Sequence, residues 1–219
     1  MSYIFNHYNW DLSDPTSIPN LLYDHLALTV ISVAIGLLIA FPIGLYAARR
    51  PQVYLPVITV ADVLYTLPSL AFMALLIPIT GLNPPTVVIP LVLYTQIVLI
   101  RNIAAGIQSV DPALVEVGRA MGMTERQVLL RIALPLALPV IIAGIRVATV
   151  TTIGIAAIAP LFGVNSLGYP IVIDGLGGFR IENEIVGGVI LISALAIVAD
   201  LLLLGVQWLL SRGRPLTAA

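Results

Sequence analysis

The chain alternates long apolar runs with short polar breaks. Five runs are about as long as the roughly 20 residues that an α-helix needs to cross a lipid bilayer. They cover residues 26–48, 53–79, 86–107, 134–162 and 184–210. The pattern therefore predicts an all-α membrane protein with about five transmembrane helices.

Composition excludes several other classes of protein. Hydrophobic residues make up 59% of the 219 positions and charged residues only 10%, against about 25% charged in an average soluble domain. The chain has no cysteine and no lysine, which excludes a disulfide framework, cysteine-ligated metals and a lysine-dependent phosphate-binding loop. A net charge of -1 provides no basic surface for nucleic acid.

The arginines predict the orientation of the helices. With the N-terminus outside and five spans, seven of the ten arginines fall on one side, which the positive-inside rule makes the cytoplasm. These are Arg49, Arg50, Arg119, Arg126, Arg131, Arg212 and Arg214, whereas the opposite side holds only Arg180. We therefore expect residues 1–25 to be extracytoplasmic or interfacial and residues 26–219 to form the transmembrane domain. Its 108–135 loop and C-terminus would be cytoplasmic, and its segment 163–183 extracytoplasmic.

The 108–135 loop has a readable local structure. Asp111 followed by Pro112 is a typical helix start, and Gly122 is a natural helix end. Thr124 predicts the cap of a second helix, over 125–130, that leads into the fourth span. The residues alone leave two interpretations open: an interfacial helix that lies on lipid headgroups, or a helix that docks on another protein.

The spacing within this loop resembles a known motif. Glu116, Gly122, Ile132 and Leu134–Pro135 resemble the EAA loop of ABC importer permeases, E-A-A-x3-G-x9-I-x-L-P, with Val117 and Gly118 in place of the two alanines. In that family the short helix of the loop is a coupling helix that inserts into a groove on the cytoplasmic ATPase. The resemblance implies the MetI-like permease fold. It also implies ATPase-coupling roles for Asp111, Glu116, Val117, Gly118, Ala120, Met121, Gly122, Met123, Thr124, Ile132, Leu134 and Pro135.

Further segments resemble one branch of that family. The stretch TLPSLA at 66–71 is similar to the QTIPSLA stretch of glycine betaine/carnitine/choline (osmoprotectant) permeases. VDPA at 110–113, MGMT at 121–124, ATV at 148–150, IG at 153–154 and LG at 167–168 extend the likeness. Methionine-importer permeases share the scaffold and the loop, so a methionine or other amino-acid importer is the alternative within this class.

The resemblance implies partners rather than cofactors on this chain. A separate ABC ATPase would supply ATP and Mg²⁺, and a second permease copy or paralogue would complete the pathway. An extracytoplasmic substrate-binding protein would deliver the solute. The chain itself would be no enzyme and would hold no metal or cofactor; it would sit in the lipid of a bacterial or archaeal cytoplasmic membrane, with no nucleic-acid partner.

Polar side chains within the spans are candidates for function. Asp62 and Asp200 are expected to pair with Arg101 and Arg146 inside the bundle, the alternative being a cytoplasmic gate or cavity lining. The candidate pathway residues are Asp62, Tyr65, Ser69, Tyr94, Gln96, Thr149, Thr152 and Asp200. Aromatic rings suit a quaternary ammonium, although packing is the expected role of each tyrosine taken singly.

Two further features concern shape. Pro68 and Pro78 predict kinks in the second span. The glycine-rich segment 163–183 is expected to dip toward the bilayer or to form a short gate helix, and to offer a docking surface to the binding protein.

Other classes fit less well. A secondary transporter or channel predicts internal repeats or a self-sufficient set of ionisable groups in the spans, and leaves the loop spacing unexplained. A membrane scaffold without transport has no need of Asp62 and Asp200. An enzyme lacks a nucleophile–base or metal-ligand grouping in the sequence.

Overall fold

A computed structural model of the chain describes residues 2–177 and 181–211, and these ranges contain helices and no β-strand. The α-helices are α1 (Ser2–Phe5), α2 (Ile18–Ala48), α3 (Pro51–Thr66), α4 (Ser69–Thr80), α5 (Pro84–Gln108), α6 (Pro112–Ala120), α7 (Glu125–Val128), α8 (Leu134–Ala156) and α9 (Ile181–Ser211). Short 3-10 turns cover His7–Trp10 and Ala159–Phe162, and π-helical turns cover Leu129–Ala133 and Pro170–Gly175. Arg180, Arg212, Arg214 and the C-terminus, which entered the orientation argument, lie outside the described residues.

Four helices are long and apolar enough to cross a membrane, and a bent pair makes a fifth candidate. Three of the four are α2, α5 and α9. The remaining one is a continuous helix that consists of α7, the π-helical turn after it and α8. The fifth consists of α3 and α4, which meet at an angle of 90°. The prediction of about five spans is confirmed.

Helix α5 lies at the centre of the bundle. In its most apolar stretch 67% of the residues are buried, against none in the corresponding stretch of α9. Gly36 and Gly44 of α2 let the two backbones approach closely, because a Cβ atom at either position would overlap Thr95 or Ile103 of α5. Helix α5 also packs on α8, which in turn contacts α2 and α9.

The break between α3 and α4 has its cause in Pro68. Proline lacks the N–H that a continuing helix needs and disfavours helical backbone in the residue before it. Leu67 accordingly adopts an extended conformation, with φ of -65° and ψ of 130°. The sequence predicted a kink here, and the structure shows two separate helices. Pro78 does not end α4, which continues to Thr80.

Two boundaries differ from those that hydropathy predicts. Helix α2 begins at Ile18 rather than near residue 26, because Ser17 and Pro19 provide a helix start before the polar residues Asp24 and His25. The fourth helix ends at Ala156 rather than at 162, and the last residues of that apolar run form a 3-10 turn. Apolar content alone locates the membrane-spanning part of a helix but not its capped ends.

Candidate functional site

The start of the loop helix α6 is fixed by its own side chains. The Asp111 carboxylate accepts a hydrogen bond of 2.8 Å from the backbone N–H of Ala113. Pro112 occupies the first turn, where a missing N–H costs nothing. The predicted cap is confirmed.

The end of α6 forms a Schellman motif. The N–H of Gly122 donates to the carbonyl of Arg119 at 2.9 Å, and the N–H of Met123 donates to the carbonyl of Gly118 at 3.1 Å. Gly122 has a φ of +82°, which lies in the left-handed region. Residues other than glycine adopt this backbone conformation only with strain. No heavy atom lies within 4 Å of where its Cβ would be, so this position requires glycine for its backbone rather than for space.

Gly118 is required for the opposite reason. It is buried, and a Cβ at this position would lie 2.5 Å from the terminal methyl of Ile132 and 3.5 Å from the sulfur of Met123. Ile132 is held in the π-helical turn that precedes Pro135, where the N–H of Leu134 bonds to the carbonyl of Leu129, five residues earlier. Glycine in place of the second alanine of the motif therefore makes room for the isoleucine of the same motif.

A capping box begins the next helix, α7, and an ion pair connects α6 to it. The Thr124 hydroxyl accepts from the N–H of Gln127, while the Gln127 side chain accepts from the N–H of Thr124. Arg119 donates two hydrogen bonds to Glu125, at 2.8 and 3.2 Å, and these raise the pKa of the Arg119 guanidinium. Since α7 continues through the π-turn into α8, the loop helix is tied mechanically to a membrane span.

The free face of α6 is apolar around one carboxylate. Val117 and Met121 are exposed, and Glu116 and Ala120 are exposed as well. Among the described residues, none donates a hydrogen bond to Glu116. Unburied apolar side chains beside an available carboxylate suit contact with another protein.

Charges are separated between the two ends of the bundle. The side-chain amide of Gln108 donates to the carbonyl of Ala48 at 3.3 Å, which brings the end of α2 beside the loop. Five described arginines thus gather at the loop end: Arg49, Arg50, Arg119, Arg126 and Arg131. At the other end, burial and then the charges of Glu184 and Asp14 raise the pKa of the Asp174 carboxyl group. Burial and then the charges of the same three carboxylates raise the pKa of Tyr3 to about 12.

A second cluster lies where α3 breaks. Arg101 of α5 donates to both carboxylate oxygens of Asp62 of α3, at 2.9 and 2.8 Å. The ring of Tyr65 meets the ring of Tyr94 edge to face, with centroids 5.8 Å apart. Phe72 of α4 meets the same Tyr94 ring at 6.1 Å, and the Tyr94 hydroxyl donates to the carbonyl of Leu67 at 2.6 Å. The break is therefore framed by three aromatic rings and one ion pair.

The other ion pair lies between α8 and α9. Arg146 donates to both oxygens of Asp200, at 2.9 and 2.8 Å, and to the side chain of Gln207 at 2.9 Å. Gln207 in turn donates to the carbonyl of Pro139 at 2.9 Å. The predicted pairing of the two aspartates with the two arginines is thus present, and the structure assigns the partners.

Three further pathway candidates make hydrogen bonds to helix carbonyls, within their own helix or, for Gln96, also across to α2. The Gln96 amide donates to the carbonyls of Gly36 and Val92 and is buried. Thr149 and Thr152 donate to carbonyls four residues earlier on α8, and Thr152 is buried. Ser69 is half-buried at the start of α4. The structure brings Asp62, Tyr65 and Tyr94 to one region, with Ser69 just after the break in the chain. Thr149, Thr152 and Asp200 lie elsewhere, on α8 and α9.

Two residues of these clusters, Gln207 and Phe72, were not predicted from the sequence. Gln207 lies seven residues after Asp200, two helical turns later on the same face, and this spacing was the available signal. Phe72 follows Pro68 by one turn, but its contact with Tyr94 depends on the 90° bend, for which the sequence offers no measure.

Comparison with known proteins identifies the family. Residues 40–214 match the family described as binding-protein-dependent transport system inner membrane component, and the chain belongs to it. It is 41% identical over 199 residues to the carnitine transport permease protein OpuCD of Listeria monocytogenes, covering 89% of each chain. It is 39% identical to the glycine betaine/carnitine/choline transport system permease protein OpuCD of Bacillus subtilis, over 83% of this chain and 79% of that one. It is 35% identical to the osmoprotectant import permease protein OsmW of Salmonella typhimurium, over 89% and 92%.

Solved structures confirm the fold. A chain of the inward-facing MetNI methionine ABC transporter superposes with a TM-score of 0.79 at 20% identity, covering 89% of this chain and 96% of that one. A chain of an amino acid ABC transporter superposes with a TM-score of 0.64 at 22% identity, covering 96% of both. The MetI-like fold is thereby confirmed. The chain is a multi-pass permease of an ABC importer in a bacterial membrane, a transport subunit rather than an enzyme, and its family implies an ATPase and a substrate-binding protein as partners.

Proposed function

We propose that this permease imports a compatible solute of the glycine betaine, carnitine or choline type. The observation that carries the proposal is the likeness to permeases named for those solutes, at 35–41% identity over more than 80% of the chain. The methionine transporter chain shares 20% identity, a level that supports the fold alone. The osmoprotectant reading is therefore favoured over the methionine or other amino-acid alternative.

Energy enters through α6 in this proposal. Its exposed face, with Glu116, Val117 and Met121, docks on a separate ATPase subunit that holds ATP and Mg²⁺. Closure of the ATPase dimer moves α6, and the Arg119–Glu125 pair and the packing of Gly118 against Ile132 pass that motion to α8. The spans then alternate between outward-open and inward-open arrangements by rigid-body movement of packed helices.

A second copy or a paralogue completes the pathway. The side chains of Arg101 and Asp62 are 48% and 46% exposed, although both belong to membrane-spanning segments. A charged pair facing lipid costs several kcal/mol, so this face is expected to meet water or another permease chain. We assign Asp62, Tyr65, Ser69 and Tyr94 to the pathway wall, and structural roles to Gln96, Thr149, Thr152 and Asp200.

The separated charges support the orientation. The arginine-rich loop end faces the cytoplasm, in keeping with the positive-inside rule. The N-terminus and the segment from 163 to 177 face outward, where the binding protein docks.

Two measurements on the native host test the proposal together. Labelled glycine betaine, carnitine, choline and methionine are offered to cells that carry or lack this chain. The tagged chain is also purified in mild detergent and its partners identified by mass spectrometry. We expect uptake of at least one quaternary ammonium and co-purification of an ABC ATPase, both lost in Glu116→Lys while the variant still reaches the membrane. Uptake of methionine alone would contradict the assigned substrate. Flux through liposomes that contain only this chain would contradict the importer mechanism.

A further inference from the structure

We infer that the break between α3 and α4 carries a contact site for the solute in transit. In it Tyr65 and Asp62 take the quaternary ammonium, and Arg101 takes the carboxylate of zwitterionic solutes. This inference rests on the proposed function and adds the place and polarity of recognition within the membrane.

Two neighbouring side-chain contacts join the antiparallel helices α3 and α5. Asp62 and Tyr65 lie one turn apart on α3, so their side chains share a face. Tyr94 and Arg101 lie two turns apart on α5 and also share a face. The ionic contact joins Asp62 to Arg101, and the aromatic contact joins Tyr65 to Tyr94. A positive site and a negative site are therefore held beside an aromatic wall.

The site is accessible on one side and supported on the other. The Tyr65 residue is 45% exposed, whereas Tyr94 is only 5% exposed and its hydroxyl is fixed on the carbonyl of Leu67. Tyr94 thus supports the ring of Tyr65 from behind and leaves the rest of that ring free for a ligand. The 90° bend after Thr66 directs α4 away from α3 beyond this point.

Comparison of the two ion pairs shows which one is available to a ligand. Arg146 and Asp200 are 21% and 36% exposed, and a third side chain, Gln207, holds the arginine. Arg101 and Asp62 are about half exposed and hydrogen-bond only to each other among the described residues. The first pair has the features of a brace, and the second can exchange its partners.

The chemistry of the solutes matches this arrangement. Glycine betaine, carnitine and choline share a trimethylammonium group, and the first two also carry a carboxylate. An ammonium binds over an aromatic face and beside a carboxylate, and a guanidinium binds a carboxylate through two parallel hydrogen bonds. A bound zwitterion replaces the internal ion pair with two external ones, so the charge of the site stays balanced. Competition from the internal pair keeps binding weak, as a transit site requires.

Variants of Tyr65 test the ammonium contact. Uptake of choline and glycine betaine is measured in cells, alongside the amount of assembled permease–ATPase complex in their membranes. Tyr65→Phe keeps the aromatic face and should lose less uptake than Tyr65→Leu. Tyr65→Leu should lower uptake of both solutes by about tenfold, which lies within the range expected for one cation–π contact, at an unchanged amount of complex.

Variants of the ion pair test the polarity. Arg101→Gln should lower glycine betaine uptake at least fivefold more than choline uptake, because choline has no carboxylate. The double variant Asp62→Arg with Arg101→Asp keeps the attraction between α3 and α5 but reverses the charges of the site. The complex should therefore assemble but show no uptake. The matched control is the double variant Arg146→Asp with Asp200→Arg. The complexes of this variant that assemble should show the wild-type ratio of glycine betaine uptake to choline uptake.

The outcomes separate the two proposals. The site is refuted if Tyr65→Leu transports like wild type, or if the exchanged Asp62/Arg101 pair restores uptake. It is also refuted if Arg101→Gln lowers choline and glycine betaine uptake equally. If the exchanged Asp62/Arg101 variant fails to assemble, the uptake measured for Tyr65→Leu and Arg101→Gln still decides whether the site exists. Failure of the wild-type chain to take up any of the three solutes would overturn the proposed function, and this site with it.

Discussion

The Nδ1 atom of His25 accepts a hydrogen bond of 3.2 Å from the backbone N–H of Leu167, 142 residues later in the chain. With Nδ1 acting as acceptor, the ring proton lies on Nε2, which donates to the carbonyl of Ile153 at 3.1 Å. The ring is fully buried. His25 therefore ties α2 to the end of α8 and to the connection that follows it.

This histidine should be essential for stability rather than for transport. His25→Phe fills a similar volume but leaves the Ile153 carbonyl and the Leu167 N–H buried without partners. Each unsatisfied group costs about 1–3 kcal/mol, so we expect the apparent melting temperature in detergent to fall by about 5 °C or more. The exposed His7 provides the matched control, and His7→Phe should leave the melting temperature unchanged. Equal melting temperatures for the two variants would contradict the assigned bonds.

The packing of Gly118 on Ile132 predicts a coupled pair of substitutions. Gly118→Ala places a methyl group against the end of Ile132, whereas alanine in a helix is otherwise about 1 kcal/mol better than glycine. Ile132→Val removes the obstructing methyl. We expect Gly118→Ala to be neutral or destabilising alone and stabilising in the Ile132→Val background, with a coupling energy of about 1 kcal/mol in a double-mutant cycle.

Gly122→Ala is the control for this cycle. Its cost of about 1–2 kcal/mol arises from positive φ and should be the same in both backgrounds. If Ile132→Val rescued Gly122→Ala as well, the loop would be responding to general loosening and not to the Gly118 contact.

These residues show what the sequence could and could not predict. The fixed spacing from Glu116 to Pro135 predicted the loop, its caps and its family, because caps and turns depend on local chemistry that single residues carry. The sequence showed that Val117 and Gly118 depart from the alanine pattern but not why, since the reason at Gly118 lies fourteen residues away in the side chain of Ile132.

The membrane part was predicted less completely. Hydropathy found each span, and the rarity of charges in the spans made the two Asp–Arg pairings predictable. The 90° angle at Pro68 was not predictable, because proline breaks a helix without setting the direction of the next one. The burial of Gln96 and Thr152 depends on how α2, α5 and α8 pack together, and neither periodicity nor composition reports that.

The Arg146–Asp200–Gln207 cluster should behave as a structural brace. Asp200→Asn leaves the Arg146 guanidinium without its counter-charge in a membrane-spanning segment, where an unpaired charge costs several kcal/mol. We expect a large loss of permease from the membrane fraction. The molecules that remain should transport at the wild-type rate per assembled complex. Normal amounts of complex with no uptake would instead assign Asp200 to the gate.

Asp174 should limit stability at neutral pH. Burial, followed by the charges of Glu184 and Asp14, raises the pKa of its carboxyl group above 3.8. A raised pKa favours the protonated form in the folded state, so the ionised form costs stability as pH rises through that raised pKa. Asp174→Asn should increase the melting temperature at pH 7, and the increase should shrink as the pH is lowered toward 4.

The pKa of Asp11 is shifted in the opposite direction to that of Asp174. Hydrogen bonds from the backbone and hydroxyl of Ser13 lower the pKa of its carboxyl group, so its ionised form favours folding. Asp11→Asn should lower or leave unchanged the melting temperature at pH 7. An increase in both variants would show that removing any negative charge stabilises this end of the protein, whatever its burial.

The most direct test of the account asks what α6 touches. The chain has no cysteine, so a single Val117→Cys variant carries a photo-reactive maleimide at one known position. We predict a cross-link from residue 117 to an ABC ATPase in membranes, and none from an exposed control, Leu12→Cys, near the other end of the bundle. A Val117→Cys protein that supports uptake yet cross-links only to lipid would contradict the coupling role of α6, as would an ATPase cross-link from residue 12.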